Sequence, residues 1–292
     1  FKHGNKGNFD YTRSGNPNFK ILENILKSIE ESKYCTIFGS GISAVTAITS
    51  SLKSGDKILC ESNLYGCTVR MFDKIFKKFG IEVLYTDFTN KENFKEIKDF
   101  QPTLIWLESP TNPLLKVLDI KLICDEANKY KIPVVLDNTF STALIQKPLE
   151  LGATLSLIST TKFINGHSDA LGGAVLTNNE EWNSKMLFSQ KALGLQPSPF
   201  DSWLITRGVK TLPLRIEQQT KSAEIISKEI ENHRIVGKVF YPFNQKHPQF
   251  DLAKSQMKSG GSMITLKLNL NKADTFKFCK SLRYFSLAES LG

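Results

Sequence analysis

Short runs of apolar and β-branched residues alternate with amphipathic segments along the first two thirds of the chain. The runs are KILC (57–60), IEVLY (81–85), TLIWL (103–107), PVVLD (133–137), TLSLIS (154–159) and GGAVL (172–176). The segments between them have helical periodicity, as in residues 68–79, where apolar side chains recur on one face. Strands that are apolar on both faces and alternate with helices predict a mostly parallel sheet covered by helices. We therefore predict an α/β domain here.

The pattern changes after a long helical stretch at residues 213–232. The segment SMITLKLNL (262–270) alternates as a half-buried strand does, a helix is predicted at 272–283, and no further strand and helix alternation follows. These features predict a smaller α+β domain, which we expect to be incomplete at its C-terminus. The predicted division is an N-terminal arm with the first helix, a large α/β domain and this small domain, at residues 1–35, 36–232 and 233–292.

Composition narrows the class of protein. Apolar residues make up 40% of the chain and charged residues 23%, which is ordinary for a globular protein. The sequence has no long apolar run and no N-terminal signal pattern, so we expect a cytoplasmic protein with no membrane partner. The five cysteines are scattered and form no CxxC pair, which predicts a reducing environment and argues against a zinc or other metal site.

The net charge of +9 raises the question of a nucleic-acid partner. The cations are 32 lysines and 6 arginines, spread along the whole chain. Nucleic-acid sites concentrate cations on one face, and arginine is the residue that clamps phosphates and reads bases. We therefore expect no nucleic-acid partner.

Polar side chains follow three of the predicted strands at their carboxyl ends. Glu108 and Asn112 follow the run TLIWL (103–107). Asp137 and Thr139 lie at or just after the end of PVVLD (133–137), and Ser159, Thr161 and Lys162 lie at or just after the end of TLSLIS (154–159). Ligands of open α/β sheets bind outside the carboxyl ends of the strands. We expect these acids, hydroxyls, amide and amine to converge on one site.

The segment FGSGISA (38–44) adds a candidate anion site. Its glycines and serine open a helix that we predict to begin near Ile42, and the N–H groups of Gly41 and Ile42 would face a ligand there. Taken alone, such a segment is more often only a helix start eased by glycine. The hydroxyls of Ser159 and Thr161 would meet the same anion, which favours a phosphate.

A phosphate site, a lysine amine and a buried carboxylate are together what pyridoxal 5'-phosphate requires. The amine of Lys162 would form the Schiff base, and the carboxylate of Asp137 would keep the ring nitrogen protonated. Alone, Asp137 is also compatible with an acid that caps the turn after its strand. The lysine 25 positions further on favours the cofactor role.

Three aromatic or basic residues have two interpretations each. Tyr65, in ESNLYGCT, is placed to stack on a cofactor ring or to be an ordinary core or rim tyrosine. Tyr11 and Arg13 lie in the extended stretch DYTRSGNP, which is either an arm reaching a partner subunit or a solvated loop.

The motifs resemble a known family in their order and spacing. They are YTRSGNP, SGISA, YGCT, ESPTNP, VLDNTF, STTKFINGHSD, SPFDSWLITRGVKTLPLR and FSLAESLG. The chain resembles the cysteine and methionine metabolism family of pyridoxal phosphate enzymes along essentially its whole length. The resemblance implies the aspartate-aminotransferase type fold (fold type I) and a homo-oligomer, a dimer of dimers with active sites shared across each dimer.

The resemblance also implies residue roles. Lys162 would be the Schiff-base lysine, Asp137 the partner of the ring nitrogen and Tyr65 the stacking residue. The other cofactor contacts would come from Gly41, Ile42, Asn112, Thr139, Ser159 and Thr161, with Tyr11 and Arg13 completing the phosphate site of the neighbouring subunit. Ser290 would bind the substrate carboxylate, with a family arginine that lies beyond Gly292.

The reaction is narrowed by two acids. Asp10 and Glu289 stand where the cystathionine γ-synthase and cystathionine γ-lyase members are similar to one another, and either carboxylate would hold the distal ammonium of an amino-acid substrate. The resemblance thus implies γ-replacement or γ-elimination on homoserine-derived sulfur amino acids. At Cys67 the chain instead resembles methionine γ-lyase, which is one alternative activity. O-acyl-homoserine sulfhydrylase is a further alternative. Outside enzymes, the alternative is a catalytically inactive binding protein.

Overall fold

The computed structural model of the protein describes residues 9–292, so the first eight residues of the predicted arm lie outside the described part. The strands within it are Tyr34–Phe38 (β1), Lys57–Glu61 (β2), Glu82–Thr86 (β3), Leu104–Glu108 (β4), Val134–Asp137 (β5), Leu155–Ile158 (β6), Gly173–Thr177 (β7), Val236–Phe240 (β8) and Thr265–Leu268 (β9).

The helices cover the sequence between and after these strands. They are Pro17–Glu30 (α1), Gly41–Thr49 (α2), Gly66–Lys74 (α3), Lys95–Asp99 (α4), Ile120–Asn128 (α5), Thr142–Ile145 (α6), Glu180–Ala192 (α7), Pro199–Val209 (α8), Leu212–Glu229 (α9), Phe250–Gln256 (α10) and Lys272–Ser281 (α11). Short 3-10 helices lie at Thr12–Ser14, Phe76–Phe79 and Lys91–Phe94. No helix in residues 9–292 is both long and apolar enough to span a membrane.

Strands β1 to β7 form one sheet in the order β1-β7-β6-β5-β4-β2-β3. The strands from β3 to β6 along this order are mutually parallel, whereas β7 is antiparallel to both β1 and β6. The predicted α/β fold with a mostly parallel sheet is confirmed. Because parallel strands end at the same edge, the residues that follow β4, β5 and β6 lie side by side.

The sheet is buried on both faces. One core cluster joins α2, α3 and α7 to one side of the strands and includes an edge-to-face pair of Phe72 and Trp106, whose ring centroids are 5.2 Å apart. Another joins α1, α8 and α9 to the opposite side around β1 and β7. The apolar runs recognised in the sequence are continuous for this reason.

The C-terminal part contains the antiparallel pair β8 and β9, flanked by α10 and α11. The predicted strand at 262–270 and helix at 272–283 correspond to β9 and α11. Strands β1 and β8 were not predicted. In β8 the sequence VGKVF is interrupted by an exposed glycine and an exposed lysine, so it lacks the continuous apolar signal of the other strands. The division at residues 35 and 232 stays a prediction.

Candidate active site

A cavity of about 370 Å³ lies at the carboxyl ends of β4, β5 and β6. Its walls also include the first residues of α2, the segment before α3 and the C-terminal residues 289–291. Eleven of the fourteen predicted site residues line it: Gly41, Ile42, Tyr65, Asn112, Asp137, Thr139, Ser159, Thr161, Lys162, Glu289 and Ser290. The structure therefore brings together residues from six separate motifs, although their individual roles remain predictions.

The beginning of α2 forms an anion cradle against the residues that follow β6. Ser40 caps the helix, because its side chain accepts a hydrogen bond from the Ser43 N–H at 3.0 Å. The N–H groups of Gly41 and Ile42 lie in the first turn, where no intrahelical carbonyl is available to them. A Cβ atom at position 41 would stand 2.8 Å from the Cβ of Ser159, so glycine is required for this approach.

Thr161 is oriented by the strand that crosses beside it. Its hydroxyl accepts from the Gly172 N–H at 3.0 Å and donates to the Gly172 carbonyl at 3.1 Å. The hydroxyl hydrogen can rotate toward an anion while the oxygen continues to accept from Gly172. Thr161 is thus a donor held in place by backbone contacts.

Asp137 ends β5 at the floor of the cavity and is only 9% exposed. One carboxylate oxygen accepts from the Thr139 N–H at 3.0 Å and from its hydroxyl at 2.6 Å. The Thr139 oxygen in turn accepts from the Ser159 N–H at 2.9 Å, which links the ends of β5 and β6. Burial raises the pKa of Asp137 to about 6, partly opposed by the two bonds from Thr139.

Glu108 is a site residue whose contacts could not be read from the sequence. It ends β4 and is buried, and its two oxygens accept from the N–H of Tyr65 at 2.7 Å and of Asn112 at 2.9 Å. One side chain thereby fixes the backbone of two cavity residues. The ESP motif marked its place at a strand end, but nothing in the sequence indicated these two partners.

The amine of Lys162 points into the cavity and donates to the Ser290 hydroxyl at 2.7 Å. Burial lowers the pKa of the amine, and the carboxylate of Glu289 acts in the opposite sense. A lowered pKa favours the neutral amine that a nucleophile or base needs.

Tyr65 lies at the beginning of α3, at the rim of the cavity, and is 38% exposed. A hydrogen bond with Cys67, together with burial, raises the pKa of Tyr65 to about 12. Cys67 also accepts a bond from the Arg70 guanidinium at 2.8 Å, which places a cation at this rim. Arg70 was missed because a single arginine carries no motif of its own.

Asp10, Tyr11 and Arg13 do not line the cavity of this subunit. The three residues belong to an exposed or half-exposed segment. Arg13 donates to the Tyr11 hydroxyl at 3.1 Å and to the Lys191 carbonyl at 2.8 Å, so the arm contacts the C-terminal end of α7. The predicted place of Tyr11 and Arg13 in a neighbouring subunit and the predicted contact of Asp10 with the substrate stay predictions.

Known proteins of one family match this chain along its length. The family model for Cys/Met metabolism PLP-dependent enzymes matches residues 1–292. The chain belongs to this family. A cystathionine γ-lyase of Dictyostelium discoideum is 40% identical over 97% of this chain and 73% of its own length. A probable cystathionine γ-synthase of Herpetosiphon aurantiacus is 40% identical over 91% of this chain and 83% of its own.

Solved structures of the family share the fold. The cystathionine γ-synthase from Xanthomonas oryzae pv. oryzae, in complex with aminoacrylate and cysteine, superposes with a TM-score of 0.96 at 37% identity. The match covers 100% of this chain and 76% of that structure. The predicted family, fold type I, enzyme class and pyridoxal phosphate dependence are thus confirmed.

The cavity fits pyridoxal phosphate on its own chemistry. The anion cradle at Gly41 and Ser159 suits the phosphate, the buried carboxylate of Asp137 suits a cationic ring nitrogen, and the amine of Lys162 suits the aldehyde. Within residues 9–292 no cluster of three or more metal-binding side chains is found.

Proposed function

We propose that this protein makes or breaks the Cγ–S bond of cystathionine, as a cystathionine γ-lyase or a cystathionine γ-synthase. The observation that carries the proposal is that the Lys162 amine contacts Ser290, next to the acid Glu289, within a single cavity. Relatives named for both activities are about 40% identical to this chain, which supports the same proposal.

The residues divide the work of such a reaction. Pyridoxal phosphate, when bound, supplies an aldehyde that captures the amino group and a cationic ring that accepts electrons from the substrate. The carboxylate of Asp137 holds the ring nitrogen in its protonated form. The neutral amine of Lys162, once released from the cofactor, would take the proton from Cα of the substrate, give that proton up again within the site, and then take one from Cβ. Departure of the γ-substituent follows the loss of the Cβ proton.

Substrate recognition falls to residues at the cavity mouth. Ser290 and Glu289 both line the cavity, and we assign the Ser290 hydroxyl to the carboxylate at the reacting end of the substrate and Glu289 to the ammonium at the distal end. Asp10 lies on the exposed arm, so its predicted contact with the distal ammonium requires the active site of a second subunit.

A homo-oligomer, a dimer of dimers in the cytoplasm, is the second part of the proposal. Large apolar side chains are exposed on α7, α8 and the arm: Phe9, Tyr11, Leu187, Phe188, Phe200 and Trp203. Exposed apolar surface of this kind is typical of a subunit interface. All five cysteines are unpaired, which supports a reducing compartment. Sedimentation or light scattering of the cofactor-loaded protein tests the subunit number.

Methionine γ-lyase is the second candidate, and Cys67 is the observation that favours it. Its sulfur contacts both Arg70 and Tyr65, and Tyr65 lines the cavity, so Cys67 lies one residue layer from the proposed substrate site. O-acyl-homoserine sulfhydrylase, which would use sulfide in place of cysteine, is a further alternative.

Product analysis separates these activities. The cofactor-loaded protein is incubated with L-cystathionine alone, with an O-acyl-homoserine plus L-cysteine, with the same ester plus sulfide, and with L-methionine. Cysteine and 2-oxobutyrate from the first mixture establish the γ-lyase, and cystathionine from the second establishes the γ-synthase. Products from only the third or fourth mixture would reject the proposal. Lys162→Ala is the control and should be inactive in every mixture.

A further inference from the structure

The guanidinium of Arg215 is fastened to the backbone turn that carries Lys162. It donates to the carbonyls of Phe163 at 2.7 Å and Ile164 at 3.2 Å, the two residues that follow the lysine. From the same side chain, bonds of 3.0 Å to the Gly208 carbonyl and 3.1 Å to the Thr211 hydroxyl reach the junction of α8 and α9. We propose that Arg215 is a positioning residue that fixes the backbone of Lys162 at the cofactor.

The turn needs such a donor because it is not a helix. Its own hydrogen bonds run from Asn165 to Thr160 and from Gly166 to Lys162. Phe163 and Ile164 are buried, and in residues 9–292 the only hydrogen bonds their carbonyls accept come from Arg215. A buried carbonyl without a hydrogen-bond partner is destabilising, so removal of the guanidinium would favour rearrangement of the turn.

Two glycines make room for the contact. Gly166 has a φ of +68°, and a Cβ atom there would lie 2.0 Å from the Arg215 Nη1 atom. A Cβ atom at Gly208 would lie 2.3 Å from the Asn165 carbonyl oxygen. Gly166, in the KFING motif, and Gly208, in α8, therefore leave room for Arg215 and α8 to pack against the lysine turn.

The role is geometric and not that of an ion pair. Arg215 forms no salt bridge in the described part of the chain, and its four bonds go to three carbonyls and one hydroxyl. The planar fork of guanidinium suits several carbonyls at once, which an ammonium group does not.

The consequence for catalysis rests on the proposed function. The Lys162 amine must leave the cofactor and then reach Cα and Cβ of the substrate, so its side chain moves while its Cα atom stays fixed. Displacement of a catalytic group by about 1 Å can reduce the rate by about 100-fold. Arg215 contacts neither the amine nor the cavity, and it acts through the backbone of the turn.

The test compares Arg215→Lys and Arg215→Ala with the wild type, and Arg234→Lys serves as the control because Arg234 is an exposed arginine before β8. Each protein is loaded with pyridoxal phosphate. Borohydride trapping and peptide mass spectrometry then measure the fraction of Lys162 carrying cofactor, and visible absorption gives the pH midpoint of that linkage. Activity on L-cystathionine, or on an O-acyl-homoserine with cysteine, is expressed per loaded site.

We expect Arg215→Lys to lower kcat per loaded site by about 10- to 100-fold, with KM changed less than about threefold, and to shift the absorption midpoint. Free guanidinium at low, non-denaturing concentration should restore part of the rate of Arg215→Ala. It should leave the rate of Arg234→Lys unchanged. If Arg215→Ala does not fold, Thr211→Val removes one of the four bonds and should produce a smaller change in the same direction.

Two results would overturn the inference. One is an Arg215→Lys variant with wild-type kcat and a wild-type absorption midpoint. The other is a variant that is merely less stable, with normal values per loaded site. A wild type that takes up cofactor but acts on none of the cystathionine-related substrates would reject the proposed function instead, and the trapping and absorption measurements would still judge Arg215.

Discussion

Glu108 and Asp137 are register partners at the carboxyl ends of the neighbouring parallel strands β4 and β5. Both side chains are buried at the floor of the same cavity. Burial raises the pKa of Glu108 well above its usual range, and the nearby charge of Asp137 raises it further. Two such carboxyls titrate as a pair, and sharing a single negative charge is favourable. Asp137 also accepts hydrogen bonds from Thr139, so it is the better site for that charge when a cationic cofactor ring lies against it.

Replacement of Glu108 tests whether it supports the cavity. In Glu108→Gln, an amide group would face one of the two N–H donors of Tyr65 and Asn112, at a cost of about 1–3 kcal/mol. We expect a weaker affinity for pyridoxal phosphate together with lower thermal stability. Glu61→Gln is the matched control, because buried Glu61 holds the N–H groups of Asn63 and Phe88 outside the cavity. A control that loses stability and cofactor affinity equally would contradict this prediction.

Asp137 gives cofactor binding a defined pH dependence. Burial raises the pKa of this carboxyl to about 6 in the cofactor-free protein, and the cationic ring nitrogen requires the ionised form. The affinity for pyridoxal phosphate should therefore increase as the pH rises through about 6. Asp137→Asn should bind more weakly and lose at least about 100-fold in kcat/KM.

Affinities of the two proteins between pH 5 and 8 provide the measurement. The cofactor phosphate also ionises near pH 6, so the contribution of Asp137 is the difference between the two curves. Parallel curves for the wild type and Asp137→Asn would show that this carboxyl does not titrate on binding. Because its pKa is raised, the Asp137 carboxyl of the cofactor-free fold keeps its proton up to a pH of about 6. The contribution of this group to the free energy of unfolding is therefore complete below a pH of about 4 and is lost as the pH rises through about 6.

Local patterns predicted the floor of the site well. The apolar runs located β4, β5 and β6, and the parallel-strand rule then placed Asp137 and Lys162 side by side. The glycine and serine pattern at residues 38–44 located the start of α2 within one residue of the prediction. Each of these features is determined by a few consecutive residues.

Features that depend on distant residues were not predicted. Arg215 lies 53 positions after Lys162, and nothing in the helical sequence around it distinguishes a guanidinium that binds another turn from an exposed one. Glu108 shows the same limit, since its partner Tyr65 is 43 positions away. The predicted roles of Tyr11 and Arg13 would depend on a second copy of the chain, which no pattern within one chain describes.

Glu289 should determine preference for a substrate with a distal ammonium group. Replacement by glutamine removes the charge, and because Glu289 is exposed we expect kcat/KM for L-cystathionine to fall only by about 3- to 10-fold. L-Methionine lacks that ammonium and serves as the control substrate. Glu289→Gln also removes the carboxylate that opposes the lowered pKa of Lys162, so the acid limb of the kcat profile should move to lower pH. An equal loss on both substrates would argue against a role in specificity.

Glu30 predicts a loss of stability at high pH that is unrelated to catalysis. This residue on α1 is 1% exposed, and burial raises its pKa to about 8, with Lys147 and Leu149 opposing the rise only in part. A raised carboxyl pKa stabilises the fold fully below the unfolded value near 4.5, and this contribution is lost as the pH rises through about 8. Glu30→Gln should therefore be more stable than the wild type at pH 9, by about 1–3 kcal/mol, with a smaller difference at pH 6. Thermal unfolding at several pH values measures this, with Glu229→Gln as the control because Glu229 is exposed on another helix, α9. Equal pH dependence in the wild type and Glu30→Gln would show that this carboxyl does not retain its proton in the folded protein.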